Sequence, residues 1–182
     1  MHNGYTRRQV CLMNQLRKLW EQHVYWTRFL IISTAADLGD LEPVTKRLLQ
    51  NPKDFAAMFM PFYGPKISHD FSALFTQHLL IAGDLVNAMK KQEPAKIDEL
   101  RKKWYSNADE IAKFLQDMNP YWNEKKWKTM LYEHLNMTEK EAGCRLAGNY
   151  EEDIRVFDNI EEEALKMADY MSHGIIKQFR FC

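Results

Sequence analysis

The distribution of proline is the sequence feature that most constrains the fold. Proline falls only at positions 43, 52, 61, 65, 94 and 120, so residues 1–42 and 121–182 contain none. Because proline lacks an amide proton and its ring clashes inside a helix, two long proline-free flanks favour long helices. The apolar residues in these flanks recur every three or four positions rather than alternating, which is typical of helices that bury one face.

The same periodicity extends through the rest of the chain. It predicts long helices over roughly residues 7–34, 68–91, 95–117, 121–136 and 150–177. No segment alternates polar and apolar residues for long enough to indicate a strand. The sequence therefore predicts an all-α fold, an antiparallel up-down helical bundle.

Local signals mark where further helices begin and end. Asn51 and Pro52 have the pattern of an N-cap followed by a first-turn proline, and Gly64 precedes a proline that closes the segment. Thr138 and Glu141 have the spacing of a capping box, which interrupts the helix predicted before them.

Three similar segments recur along the chain. Residues 19–24 align with residues 74–79 and 130–135, and each segment carries one histidine, so that His78 follows His23 by 55 residues and His134 follows His78 by 56. Self-similarity at a fixed period is typical of stacked helical units.

An offset of 55 residues also places Asp54 on Asp109. We therefore predict repeated helical hairpins within one domain spanning residues 1–182. Their bounds are about residues 10–65, 65–120 and 121–180, and the third unit has diverged.

Composition restricts the classes of function. Lys plus Arg and Asp plus Glu both number 25, so no net field attracts nucleic acid, and we expect no nucleic-acid partner. No apolar stretch approaches the roughly 20 residues that span a bilayer, and the N-terminus lacks the apolar block of a secretory signal. The cysteines form no C-x-x-C pair. These features predict a cytoplasmic protein without a membrane partner.

The three repeated histidines are candidate metal ligands. Each has apolar neighbours three, four and seven residues away, which places it on the buried face of its helix. Three imidazoles at a shared register can converge on one cation, with carboxylates from neighbouring helices completing the site. The candidate ligands are His23, His78, His134, Asp109, Asp153 and, less favoured, Asp54. The cofactor that this set predicts is a transition metal ion, iron or zinc.

The same residues also have structural explanations. A histidine that recurs in each repeat can have a purely structural role, in which its ring nitrogens form hydrogen bonds to neighbouring helices. Asp54 and Asp109 have the spacing of acids near helix N-termini, counted from Asn51 and Ser106. The acidic run 161–163 is interpreted as a solvated helix face.

Other chemistries find no support in the sequence. The glycines form no phosphate-binding loop, so no nucleotide cofactor is expected, and no nucleophile motif is present. Three functions remain open: a metal-binding bundle protein, a non-catalytic interaction or structural protein, and a metal-dependent transferase. Whether the protein is an enzyme is left open, and the aromatic content of 13% permits a homodimer.

The chain also resembles a known family over nearly its whole length. The resemblance is carried by W-E-Q-H-V-x-W-T-R at residues 20–28 and by residues 51–54, 104–109, 119–122 and 167–169. It is to a family of short, uncharacterised helical proteins from spore-forming bacteria, some of which carry the name acetylglutamate kinase. This sequence does not support that name, because such kinases have an α/β fold with glycine-rich phosphate loops. The arrangement is also similar to ferritin-like and DinB-like bundles, which bind metal between helices.

Overall fold

The computed structural model describes residues 4–180, and every regular element in that part of the chain is a helix. The helices are α1 (Arg7–Ala35), α2 (Leu41–Leu48), α3 (Asn51–Lys90), α4 (Pro94–Met118), α5 (Glu124–Leu146) and α6 (Tyr150–Phe179). The predicted all-α class is confirmed. The first and last predicted helices agree with α1 and α6 within two residues at each end.

Side-chain caps explain where several helices begin. The Thr6 hydroxyl accepts the backbone N–H of Gln9, and the Gln9 side chain accepts the backbone N–H of Thr6, which completes a capping box at α1. Asn123 and Asn149 cap α5 and α6 in the simpler way, each through its side-chain oxygen.

Helix α3 consists of two limbs joined at Gly64. Gly64 has φ 76° and ψ 176°, a backbone conformation that favours glycine, and prolines 61 and 65 flank it. The predicted break at Gly64 is therefore confirmed as a kink. The predicted helix over residues 68–91 lies within the second limb.

The predicted capping box at Thr138 is wrong. Helix α5 continues through this position to Leu146, because the Thr138 hydroxyl donates to the His134 carbonyl one turn earlier instead of capping a new helix. The Glu141 carboxylate accepts a bond from Arg28 of α1. Tertiary contacts therefore override the local signal.

Two further local predictions also need correction. Asn51 does not cap α3 through its side chain, because its amide donates to the Leu19 carbonyl of α1 and ties the two helices together. Asp109 lies in the middle of α4, so its interpretation as an acid near a helix N-terminus is wrong. Asp54 does lie in the first turn of α3, as predicted.

The long helices form a closed ring around the core. Helix α1 packs against α3 and α6, while α4 packs against α3 and α5, and α5 against α6. Helix α2 packs on the outside of α1. Short connections between neighbouring helices are consistent with the predicted antiparallel arrangement. Contacts also run across the ring from α5 to α1 and α3, and these place side chains of three helices in a shared interior.

Aromatic side chains fill much of that interior. Phe55, Phe59 and Trp127 are fully buried, and burying side chains of this size stabilises the fold by roughly 1.5–3 kcal/mol each. Within residues 4–180, no helix has the length and apolar character that crossing a membrane requires.

Candidate metal centre

The three repeated histidines all lie in the bundle interior. His23 on α1, His78 on α3 and His134 on α5 are each only 2–3% exposed. The apolar neighbours of each histidine therefore predicted its burial correctly. Two of the three rings meet directly, since His23 Nε2 and His134 Nε2 are 3.3 Å apart across the ring of helices.

The third histidine lies beside this pair. The ring of Phe75 contacts both His23 and His78, with centroids 5.1 Å and 6.1 Å away. Trp104 of α4 packs on His78 from another helix, at 5.4 Å. His78 therefore shares the aromatic surroundings of the pair.

Hydrogen bonds define the protonation of His78. Its Nδ1 is 2.7 Å from the Asn107 side-chain oxygen. The Asn107 amide nitrogen donates to the Leu74 carbonyl, which assigns the orientation of that amide. Since the Asn107 oxygen can only accept, His78 Nδ1 carries the proton and Nε2 keeps a lone pair.

Burial keeps the imidazoles of His23 and His78 neutral. It lowers the pKa of His78 to about 3, and it lowers the pKa of His23 well below its ordinary value, with His134 and His78 adding to the effect at His23. Neutral imidazole is the form that binds metal ions.

Glu163 of α6 is the acid that the sequence analysis missed. It is only 6% exposed, and its Oε2 lies 3.4 Å from His134 Nδ1. Among the described residues, neither carboxylate oxygen has a hydrogen-bond partner, and the Nδ1 atoms of His23 and His134 lack one as well. Unsatisfied buried groups are uncommon in native proteins and call for a bound ion, a water molecule or a functional role.

A signal for Glu163 was present in the sequence. The residue belongs to the acidic run 161–163, interpreted above as solvated, yet it lies three residues after Ile160 and four before Met167. Those two residues are buried on the inner face of α6, so helical spacing places Glu163 on the same face.

Asp153 forms ion pairs in a separate buried network. Its carboxylate accepts two bonds from Arg28, at 2.7 and 3.2 Å, and lies 3.3 Å from Arg145. Arg28 also donates to Glu141 at 2.6 Å. Burial raises the pKa of Glu141 to about 7, although Arg28 opposes the shift.

The other two aspartates that were predicted as ligands form hydrogen bonds or ion pairs near the surface. The Asp109 carboxylate accepts the Tyr132 hydroxyl at 2.8 Å and pairs with Lys128 at 2.9 Å. The Asp54 carboxylate accepts the Gln50 side-chain amide at 3.0 Å. The structure thus brings His23 and His134 into contact, with His78 beside them, while the aspartates bind other partners.

The centre consists of two facing imidazoles and one carboxylate. Within residues 4–180, no three His, Cys, Asp or Glu side chains form a group that could hold a metal ion as they stand. The arrangement of His23, His134 and Glu163 can instead offer two nitrogen ligands to an ion, or it can hold one shared proton in an N–H···N hydrogen bond.

Comparisons with protein-family models, curated proteins and solved structures find no match for this chain. The family resemblance drawn from the sequence therefore stays a prediction, and the case for function depends on the buried centre.

Proposed function

We propose that this protein binds one transition-metal ion, zinc or iron, inside the bundle between His23 and His134. The observation that carries the proposal is the 3.3 Å separation of their Nε2 atoms. Two nitrogens that bind one ion at about 2.0–2.1 Å with a near-tetrahedral angle lie about 3.4 Å apart. The separation of these two nitrogens is therefore close to that of two ligands on one ion.

Glu163 supports the proposal in two ways: it favours one tautomer of His134, and its carboxylate carries a negative charge. A carboxylate beside His134 Nδ1 favours a proton on that nitrogen, which leaves the Nε2 lone pair for the ion. Its negative charge also offsets that of a cation in a site whose side chains are almost fully buried. Carboxylate–histidine–metal arrangements of this kind are common around bound metals.

Two protein nitrogens leave coordination positions for other ligands. Water, an external molecule or a rotated Glu163 side chain can fill them, and an ion with such positions can polarise a bound molecule. His78 is a further buried imidazole beside the pair, with its Nδ1 held by Asn107. The triple variant described below removes it together with the pair.

The proposal is tested by metal content. Full-length protein is stripped with a chelator, incubated with Zn²⁺ or Fe²⁺ and desalted, and bound metal is measured by mass spectrometry. We expect one ion per chain in the wild type, and at least tenfold weaker binding in the variants His23→Gln and His134→Gln. His69→Gln is the matched control, because His69 is highly exposed, and it should retain the ion.

The competing explanation is a structural pair that shares one proton. In that case the wild type and the triple variant His23→Gln, His78→Gln, His134→Gln bind equally little metal, and the proposal is wrong. Circular dichroism of each variant shows whether a loss of metal reflects a loss of fold.

A further inference from the structure

A small apolar cavity lies one helical turn from the histidine pair. Its volume is about 20 Å³, and its walls include Thr27 of α1, Trp104 of α4 and Thr138 and Ala142 of α5. Thr27 and Thr138 each follow a histidine of the pair by four residues, and Trp104 packs on His78. The cavity therefore adjoins the surroundings of all three imidazoles.

Apart from the Trp104 indole N–H, which has no hydrogen-bond partner, the polar side chains in the cavity wall are already bonded elsewhere. Thr27 donates its hydroxyl to the His23 carbonyl, and Thr138 donates to the His134 carbonyl, both at 2.8 Å. The Glu139 carboxylate, which also lines the cavity, is held by Arg101 at 3.0 Å. A water molecule in such a cavity finds few of the two to four partners it needs, so the space favours an apolar occupant.

A surface cleft leads towards this cavity. The cleft has a volume of about 140 Å³ and lies between α1, α2 and α3. Leu30, Leu48, Leu79 and Gly83 line both spaces. The outer cleft and the inner cavity therefore adjoin each other at these four residues.

Gly83 is the one residue of the shared four without a side chain beyond its Cα atom. A Cβ atom added there would meet no heavy atom within 4 Å, so the absent side chain leaves room at the junction of cleft and cavity. A larger residue at this position would extend into that room.

We infer that cleft and cavity form a route by which a small uncharged molecule of diatomic size, such as dioxygen, reaches the histidine centre. A charged or strongly polar molecule would lose its hydration there without gaining partners. The delivery of this molecule to a metal ion rests on the proposed function. Occupancy of the cavity does not, because the cavity is formed by residues other than the proposed ligands.

Xenon is the probe, because dry apolar cavities bind it. Crystals of the metal-free, full-length protein are pressurised with xenon, and the atom is located by its anomalous scattering. We expect one xenon atom between Thr27 and Ala142. An unoccupied cavity in the wild type at saturating pressure would overturn the inference.

Two glycine variants test the route. Gly83→Leu should slow xenon exchange between cavity and solvent at least tenfold, measured by xenon nuclear magnetic resonance, and Gly83→Ala should slow it less because it adds less bulk. Gly39→Leu is the control, since a Cβ atom at Gly39 meets no heavy atom within 4 Å and the residue lines neither space, and it should exchange xenon like the wild type.

The outcomes separate the two proposals. An unchanged rate of xenon exchange in both Gly83 variants would contradict the route. Xenon binding in a protein that takes up no metal would leave the cavity established and overturn the proposed function alone.

Discussion

Helix α6 packs very closely on the Trp122 ring at Gly174. Substitution of Gly174 by alanine adds one methyl group at this contact and so tests how tightly it is packed. A Cβ atom at Gly174 of α6 would lie 1.9 Å from Trp122 Nε1 and 2.4 Å from its Cδ1. The Trp122 side chain is only 1% exposed, and its Nε1 donates to the Tyr170 carbonyl at 3.3 Å. The ring is therefore packed on all sides and cannot move away without disturbing the core.

The expected effect combines three contributions. Overpacking of a core costs about 1–3 kcal/mol, and displacement of the indole nitrogen loses a hydrogen bond worth roughly 1 kcal/mol. Alanine regains up to about 1 kcal/mol over glycine through helix propensity. We expect Gly174→Ala to lower the free energy of unfolding by roughly 2 kcal/mol.

Urea denaturation monitored by circular dichroism measures this change. Gly83→Ala and Gly143→Ala are matched controls, because a Cβ atom at either helical position meets nothing closer than 3.8 Å. Both should be neutral or up to about 1 kcal/mol more stable than the wild type. If Gly174→Ala behaved like these two, the packing argument would be refuted.

Two further predictions concern buried charge. Arg28→Met removes the cation that both Asp153 and Glu141 contact, so the free energy of unfolding should fall by about 3–5 kcal/mol. Arg17→Met, which removes a surface ion pair with Asp169, is the control and should cost less than about 1 kcal/mol. Equal losses for the two variants in urea titrations would contradict the argument. The pKa of His78 is about 3 in the folded protein, against an ordinary value of 6.5. As the pH falls below 6.5, His78 therefore takes up a proton in the unfolded chain but not in the folded protein. The free energy of unfolding of the wild type should fall between pH 6.5 and pH 3, by up to about 1.4 kcal/mol per pH unit. His78→Gln should lose less stability than the wild type between pH 7 and pH 4 in urea titrations, and an unchanged slope would show that His78 is not held neutral.

The sequence predicted the parts of this structure that depend on a residue's own helix. The burial of His23, His78 and His134 follows from apolar neighbours at helical spacing, and the bounds of α1 and α6 follow from apolar periodicity. These features need no knowledge of which helices are neighbours.

The partners of buried charges could not be predicted in the same way. Asp153 pairs with Arg28, which lies 125 residues away in sequence, and no local pattern indicates which helices meet. Glu163 was missed because the acidic run 161–163 was interpreted as one solvated face, although the spacing of Glu163 places it on the inner face of α6. The end of α5 was missed because the spacing of Thr138 and Glu141 is the same whether or not another helix supplies their partners.

The kink at Gly64 has a consequence for the rotational phase of α3. In a continuous helix, inserting one residue turns everything beyond it by about 100°, since each turn takes 3.6 residues. A non-helical residue at position 64 interrupts that coupling between residues 51–63 and residues 65–90. The face of the second limb that carries His78 is thus oriented by its own packing against α4, and a change of length in the first limb can be absorbed at the kink without turning His78 out of the interior.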